Sequence, residues 1–174
     1  MPVSSRIIEL GGKCCFENKT LHENLESIVF QKSFLLKDFG DYMEAQMYEE
    51  IEVGKEFKES DIKYPRVTIK PTLFTPFKVG TKDYAEFNDL DKGLMKTTFG
   101  TEDPEFMIIG ETEGFPNFYF VCLSDENIEN PTVYSTDHET YFGDIENEGT
   151  LEDFFYQLAS DEEFKHIMKE LKTS

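Results

Sequence analysis

Apolar residues in the last third of the chain follow two rhythms. In Phe106 to Ile109, Asn117 to Leu123 and Pro131 to Ser135 they form short runs separated by polar stretches such as Asp125 to Asn130. Beyond Thr150 they recur every three or four residues. The first rhythm predicts strands and the second predicts helices. Asn117 to Leu123 is apolar on both faces, which places it centrally in a sheet. The succession of run, turn and run favours an antiparallel meander. Thr150 with Asp153 three positions on has the form of a helix-capping box, with Asp in place of the usual Glu or Gln. Leu151, Phe154, Phe155 and Leu158 follow as one apolar stripe. Ser160 with Glu163 repeats the box, and Phe164, Ile167, Met168 and Leu171 repeat the stripe. Two capped amphipathic helices, or one kinked helix, are expected to pack their stripes on the sheet.

The earlier chain is less regular. Arg6 to Leu10 reads as a short strand ended by Gly11 and Gly12. Leu21 to Leu36 carries Leu21, Leu25, Ile28, Val29 and Phe30 at roughly helical spacing. Asp41 to Ile51 fits a helix or a strand, and Glu52 to Phe57 reads as a turn. Tyr64 to Lys70 and Thr72 to Val79 look like strands. The prolines at 65, 71 and 76 favour edge positions for them. Lys82 to Lys96 has weak helical anchors in Tyr84, Phe87, Leu90 and Leu94.

Composition adds a core and a charge. Among 174 residues are 17 Phe and 8 Tyr, enough aromatic mass to argue against disorder. The net charge is −19 and is unevenly placed. Residues 1–87 hold 15 acids and 12 bases, whereas residues 88–174 hold 21 acids and 5 bases. Such a surface repels nucleic acid and anionic membranes and attracts basic partners. An acidic surface can also serve solubility alone. The three cysteines, Cys14, Cys15 and Cys122, are odd in number and two are adjacent, so no disulfide framework is expected. A reducing, cytoplasmic location is the simpler expectation. No stretch has the length of a signal-peptide core or a membrane span. Asn18-Lys19-Thr20 matches a glycosylation sequon, which carries no weight without a secretion signal.

The candidate chemistry is sparse. Cys14 and Cys15 with His22 lack an orienting third group and an oxyanion hole. Asp137-His138-Glu139 has the residue types of a metal or acid–base cluster, but neighbours in an extended chain point apart, and His166 is remote. Two acidic stretches, from Asp125 and from Asp144, fail the calcium-loop pattern at their later positions. Glu111 and Glu113 offer paired carboxylates near Gly110 and Gly114. No phosphate-binding glycine loop or nucleophile elbow is present. The expectation is therefore no enzyme activity, no catalytic residue, no cofactor and no metal.

The tail has further character as a whole. Ile109-Gly110, the strand Phe118 to Leu123, Val133-Tyr134 with Asp137-His138-Glu139, and Leu151, Phe154, Phe155 and Leu158 occur in that order. This order resembles the SUKH superfamily, which includes yeast cell-wall regulators and many bacterial immunity proteins. The resemblance spans roughly residues 106–158, about a third of the chain. The family's N-terminal helical signature is reduced to an echo at Phe34-Leu35-Leu36. Its usual Gly-Asp after the Ile-Gly strand is replaced by Gly114-Phe115-Pro116-Asn117. The resemblance implies an α+β fold, a twisted antiparallel sheet with helices packed on one face and amphipathic helices at the C-terminus. It implies one domain over 1–174, with 1–60 divergent or an N-terminal elaboration. It also implies a protein partner, a basic toxin domain such as a nuclease, neutralised through an acidic surface. A general interaction or scaffold domain without a toxin, and a hydrolase using the acidic clusters, are the alternatives. The expected partner-binding residues are Glu111, Glu113, Asp125, Glu126, Asp137 and Glu139. Oligomeric state is left open.

Overall fold

The computed structural model describes residues 2–17, 20–37, 66–113 and 116–173. The readings made for Asp41 to Ile51 and for Glu52 to Phe57 lie outside the described residues, as do the side chains of Met168 and Leu171. Helices α1 (Pro2–Glu9) and α2 (Leu21–Glu26) precede the short strand β1 (Leu35–Leu36). Strand β2 (Val67–Phe74), helices α3 (Lys82–Glu86) and α4 (Lys92–Phe99), and strands β3 (Phe106–Thr112), β4 (Phe118–Cys122), β5 (Thr132–Thr136) and β6 (Ile145–Thr150) follow. Helix α5 (Leu151–Gln157), strand β7 (Leu158–Ala159) and helix α6 (Asp161–Thr173) close the chain.

The five strands β2 to β6 form one sheet in sequence order, every pair antiparallel. This is the meander expected of an α+β fold. β4 is its middle strand, which explains why it is apolar on both sides. Val121 joins one core cluster while Phe120 and Cys122 join another. On the first face, Val67, Ile69, Met107, Ile109, Val121 and Val133 meet Val3 and Ile7 of α1, Leu21 and Leu25 of α2, and Leu151, Phe154 and Phe155 of α5. Burying such side chains stabilises the fold by about 1.5–3 kcal/mol each. The opposite face carries a smaller, mostly aromatic cluster. Phe74, Phe106 and Phe120 pack there with Met95 of α4 and with Phe142 from the β5–β6 loop. The Phe142 ring lies 4.9 Å from Phe120 and 5.0 Å from Phe74.

Both capping boxes form. Thr150 Oγ1 accepts from the Asp153 amide at 3.2 Å, and Asp153 accepts from the Thr150 amide at 2.8 Å. Ser160 and Glu163 make the same reciprocal pair at 3.2 and 3.1 Å. The two boxes start two separate helices, with the extended pair Leu158–Ala159 between them bonded to β1. Gly149 precedes the first box at φ +90°, where a side chain is strained, and a Cβ there would come within 2.7 Å of Asp153 Oδ2.

Several local expectations fail for identifiable reasons. Arg6 to Leu10 is not a strand; Arg6 to Glu9 is the second half of α1. Val3, Ile7 and Leu10 are buried while Ile8 is 65% exposed, a one-faced burial that a helix provides and an alternating strand does not. The helical reading of Leu21 to Leu36 holds only to Glu26. Beyond the cap at Ser27 the chain is no longer helical, and Val29 bridges Lys13. Thr72 to Val79 is not a separate strand, because β2 runs through Pro71 to Phe74. Pro71 falls where the register with β3 shifts, between Ile69 and Thr72, on an edge strand. Its missing N–H is tolerated at such a place. β6 was not foreseen, since Glu146, Asn147, Glu148 and Gly149 have no apolar alternation.

Candidate functional site

The meander sorts the acidic loops between the two ends of the sheet. β3 ends, β4 begins, β5 ends and β6 begins at one end, as the pairs Glu111 with Phe118, Phe118 with Thr136 and Thr136 with Ile145 show. Glu111, Glu113, Asp137 and Glu139 therefore gather there. Asp125 and Glu126 lie in the β4–β5 turn at the opposite end, apart from the other four. Asp125 is occupied in its own turn, accepting from the amides of Asn127 at 2.9 Å and Thr132 at 2.8 Å.

At the first end, a groove of about 250 Å³ is lined by Asn117, Tyr119, Ser135, Thr136, Asp137, Asp144, Glu146 and Glu148. Four of these eight are carboxylates and none is a base. Pairing places Tyr119 opposite Ser135 and Ser135 opposite Glu146, so these side chains share one face. Ser135 Oγ donates to Glu148 Oε1 at 2.6 Å. Tyr119 packs its ring 4.9 Å from Phe154. Its phenol is pushed up to about 12, by burial first and then by the charges of Glu148 and Glu146. Burial and negative field thus hold it neutral across ordinary pH.

The β5–β6 loop that carries Asp137 and Glu139 is fastened from within. Asn117 Oδ1 accepts from the His138 amide at 3.0 Å and lies 2.9 Å from His138 Nδ1, a geometry that places the ring hydrogen on Nδ1. Asp137 Oδ1 accepts from the Glu139 amide at 2.7 Å. Tyr141 stacks on Phe118 at 5.0 Å and donates to Pro116 O at 3.1 Å. Its phenol is raised by burial, then by Glu111 and Asp137, so both carboxylates act on one ring. Phe142 holds a positive φ of 58° while its amide donates to buried Thr136 Oγ1 at 2.7 Å. This strained conformation drives the ring into the aromatic core and anchors the loop.

The other candidate groups stay separate. Glu111 lines a different groove, with Thr68, Lys70 and Phe118, and Glu113 accepts from Thr68 Oγ1 at 2.9 Å. Burial, the largest influence, raises the Cys14 thiol, which is the wrong direction for a thiolate nucleophile. His22 lies 3.8 Å from Glu26 on its own helix. Among the described residues, no group of three or more His, Cys, Asp or Glu is placed to hold a metal ion. No described helix is long and apolar enough to cross a membrane.

All 21 acids beyond residue 87 are exposed or partly exposed, so the charge sits on folded surface. The five bases of that half, Lys92, Lys96, Lys165, Lys169 and Lys172, all lie on α4 and α6. The sheet loops therefore carry only negative side-chain charge from residue 100 onward. Sequence reasoning missed Asn117, Tyr119 and Ser135, and met Asp144, Glu146 and Glu148 only as part of a failed calcium-loop pattern. The alternation of Glu146 and Glu148 just before Gly149 was the one usable signal, since acids at i and i+2 of a strand share a face. Comparison with known proteins returns no matching family model, no matching curated protein and no matching solved structure.

Proposed function

We propose that this chain is a non-catalytic binding domain that holds a basic protein against the acidic end of its sheet. The observation that carries this is the groove in which Asp137, Asp144, Glu146 and Glu148 stand together with no base in the lining. Four carboxylates at one site set up a field that no base in the groove's lining cancels, and that field raises the encounter rate with a cationic surface. The rigid sheet and the fastened β5–β6 loop position these charges before any partner arrives, which lowers the entropic cost of association.

For the partner, the resemblance to the SUKH superfamily supports a toxin domain, and a nuclease in particular. A nuclease presents a basic groove for phosphates, and a carboxylate-lined surface can occupy it. In this reading the chain is an immunity protein, acting by occlusion. A scaffold domain would use the same surface without inhibiting what it binds.

The test is chemical cross-linking in the source cell, followed by identification of the captured partner and reconstitution from purified components. A basic partner is expected. Its association should slow steeply as salt rises. Replacing Asp137, Glu146 and Glu148 by their amides should weaken it without unfolding the domain. If the partner is a nuclease, adding the chain should stop its cleavage. A neutral or acidic partner whose binding ignores salt and these substitutions would overturn the proposal.

A further inference from the structure

We propose that the partner docks as an added β-strand on the outer edge of β6, and that it carries Lys or Arg at alternate positions. This rests on the function proposed above and specifies the form in which the basic partner is recognised. β6 is the last strand of the sheet, and among the described residues it pairs only with β5. Glu146, Asn147 and Glu148 are three consecutive exposed residues within it. A half-buried strand alternates in exposure; one exposed at successive positions is open on both faces. Its outer backbone groups have no strand partner among the described residues, and such an edge is a template for pairing.

The charges on this edge decide what can pair. Glu146 lies opposite Ser135, and Glu148 accepts the Ser135 hydroxyl, so both carboxylates stand on one face. A second copy laid edge to edge would bring carboxylate against carboxylate, which disfavours self-pairing. An incoming strand with cations at positions i and i+2 would place them beside Glu146 and Glu148, about 4.5–5.5 Å between Cβ atoms. Its backbone would supply the ladder hydrogen bonds that give strand addition its affinity. The residue between the cations would turn to the face of Ile145 and Asn147. Ile145 already packs against the aromatic cluster there, so a β-branched residue suits that position. The ladder must be short. Gly149, at φ +90°, breaks the register, and Thr150 turns the chain into α5. The opposite edge, β2, differs in kind: Phe34 bridges its first residue, and its register breaks around Pro71.

Three synthetic peptides test this on the intact chain. One alternates Lys and Val. The second has the same composition with its lysines contiguous. The third is the alternating peptide with N-methyl groups on every other amide along the pairing edge. Titration is followed by fluorescence anisotropy and by backbone amide shifts. The alternating peptide should bind, shift the amides of residues 145–148 and slow their hydrogen exchange. The other two should bind at least about tenfold more weakly. The double variant E146Q/E148Q should lose the preference for alternating lysines. Equal binding of all three peptides, or binding that leaves residues 145–148 unaffected, overturns strand addition while leaving an acidic binding surface in place. No binding of any basic peptide at low salt overturns both.

Discussion

The guanidinium of Arg6 and the carboxylate of Glu163 meet through two hydrogen bonds of 2.9 and 3.1 Å, tying the first helix to the last across 157 positions of sequence. The same guanidinium donates to Phe155 O at 3.2 Å and Leu158 O at 2.7 Å, carbonyls at the C-terminal end of α5, and to Glu9 at 2.9 Å. Arg6 is only 3% exposed. One planar side chain thus satisfies carbonyls at a helix C-terminus and pairs with the Glu163 carboxylate in the first turn of α6, pinning α1 to both. Arg6→Ala should cost about 3 kcal/mol, because it leaves buried carbonyls without their donor and Glu163 without its cation. Arg6→Lys should recover only part of this, since an ammonium cannot present the same fork. Urea denaturation of the three proteins gives the comparison. A loss below about 1 kcal/mol for the alanine variant would mean the network acts as an exposed ion pair.

Acid should find the same network. The hydrogen bond from Arg6 holds the Glu163 carboxyl below its ordinary value, with partial burial opposing and the Ser160 amide helping. A carboxyl depressed in the folded state contributes stability above its unfolded value, and loses it as pH falls through the folded value. The contribution of Glu163 should therefore be intact down to about pH 4.5, its ordinary value, and be lost below it. Glu163→Gln should be less stable at neutral pH, with the gap narrowing in acid. Melting curves between pH 7 and about pH 3 would show this; a gap constant over that range contradicts it.

Tyr119 reports on the groove from the alkaline side. With its phenol at about 12, its stabilising contribution is complete below the ordinary tyrosine value and is lost as pH rises through the folded one. Glu146→Gln with Glu148→Gln should lower that phenol toward its ordinary range without removing the effect of burial, which is the larger cause. Ultraviolet titration of phenolate absorbance, with Tyr119→Phe as the reference, measures it. An unmoved late-titrating tyrosine in the double variant would show that these carboxylates do not act on the ring.

The junction between β6 and α5 should separate two kinds of cost. Thr150→Ala removes one half of a capping box and should cost about 1 kcal/mol. Gly149→Ala should cost more than the cap does, because it meets both a left-handed backbone and the Asp153 carboxylate that completes the cap. Equal losses in urea melts would imply that the turn relaxes around the new methyl group.

The sequence alone determined the central strand, the meander and the two capping boxes, while the break between their helices came from the pairing of Leu158–Ala159 with β1. Each of the first three is written in contacts between near neighbours. Phe118 to Cys122 is apolar throughout because a middle strand is covered twice, and Thr150 with Asp153 is a closed local circuit. The acidity was equally legible, since charge is additive along a chain. The tertiary structure decided the rest. It made a helix of Pro2–Glu9, whose buried arginine finds its partners only at the far end of the sequence. It carried β2 through a proline that an edge strand at a register shift can absorb. It parted Asp125 and Glu126 from the other acids expected to work with them, because successive turns of a meander alternate between the two ends of the sheet. It added Glu146 and Glu148 in their place, through a strand too polar to be read by hydrophobic rhythm, with Asp144 from the loop just before it. That strand is held by its ladder to β5 and by the turn at Gly149, and neither shows in the order of apolar residues.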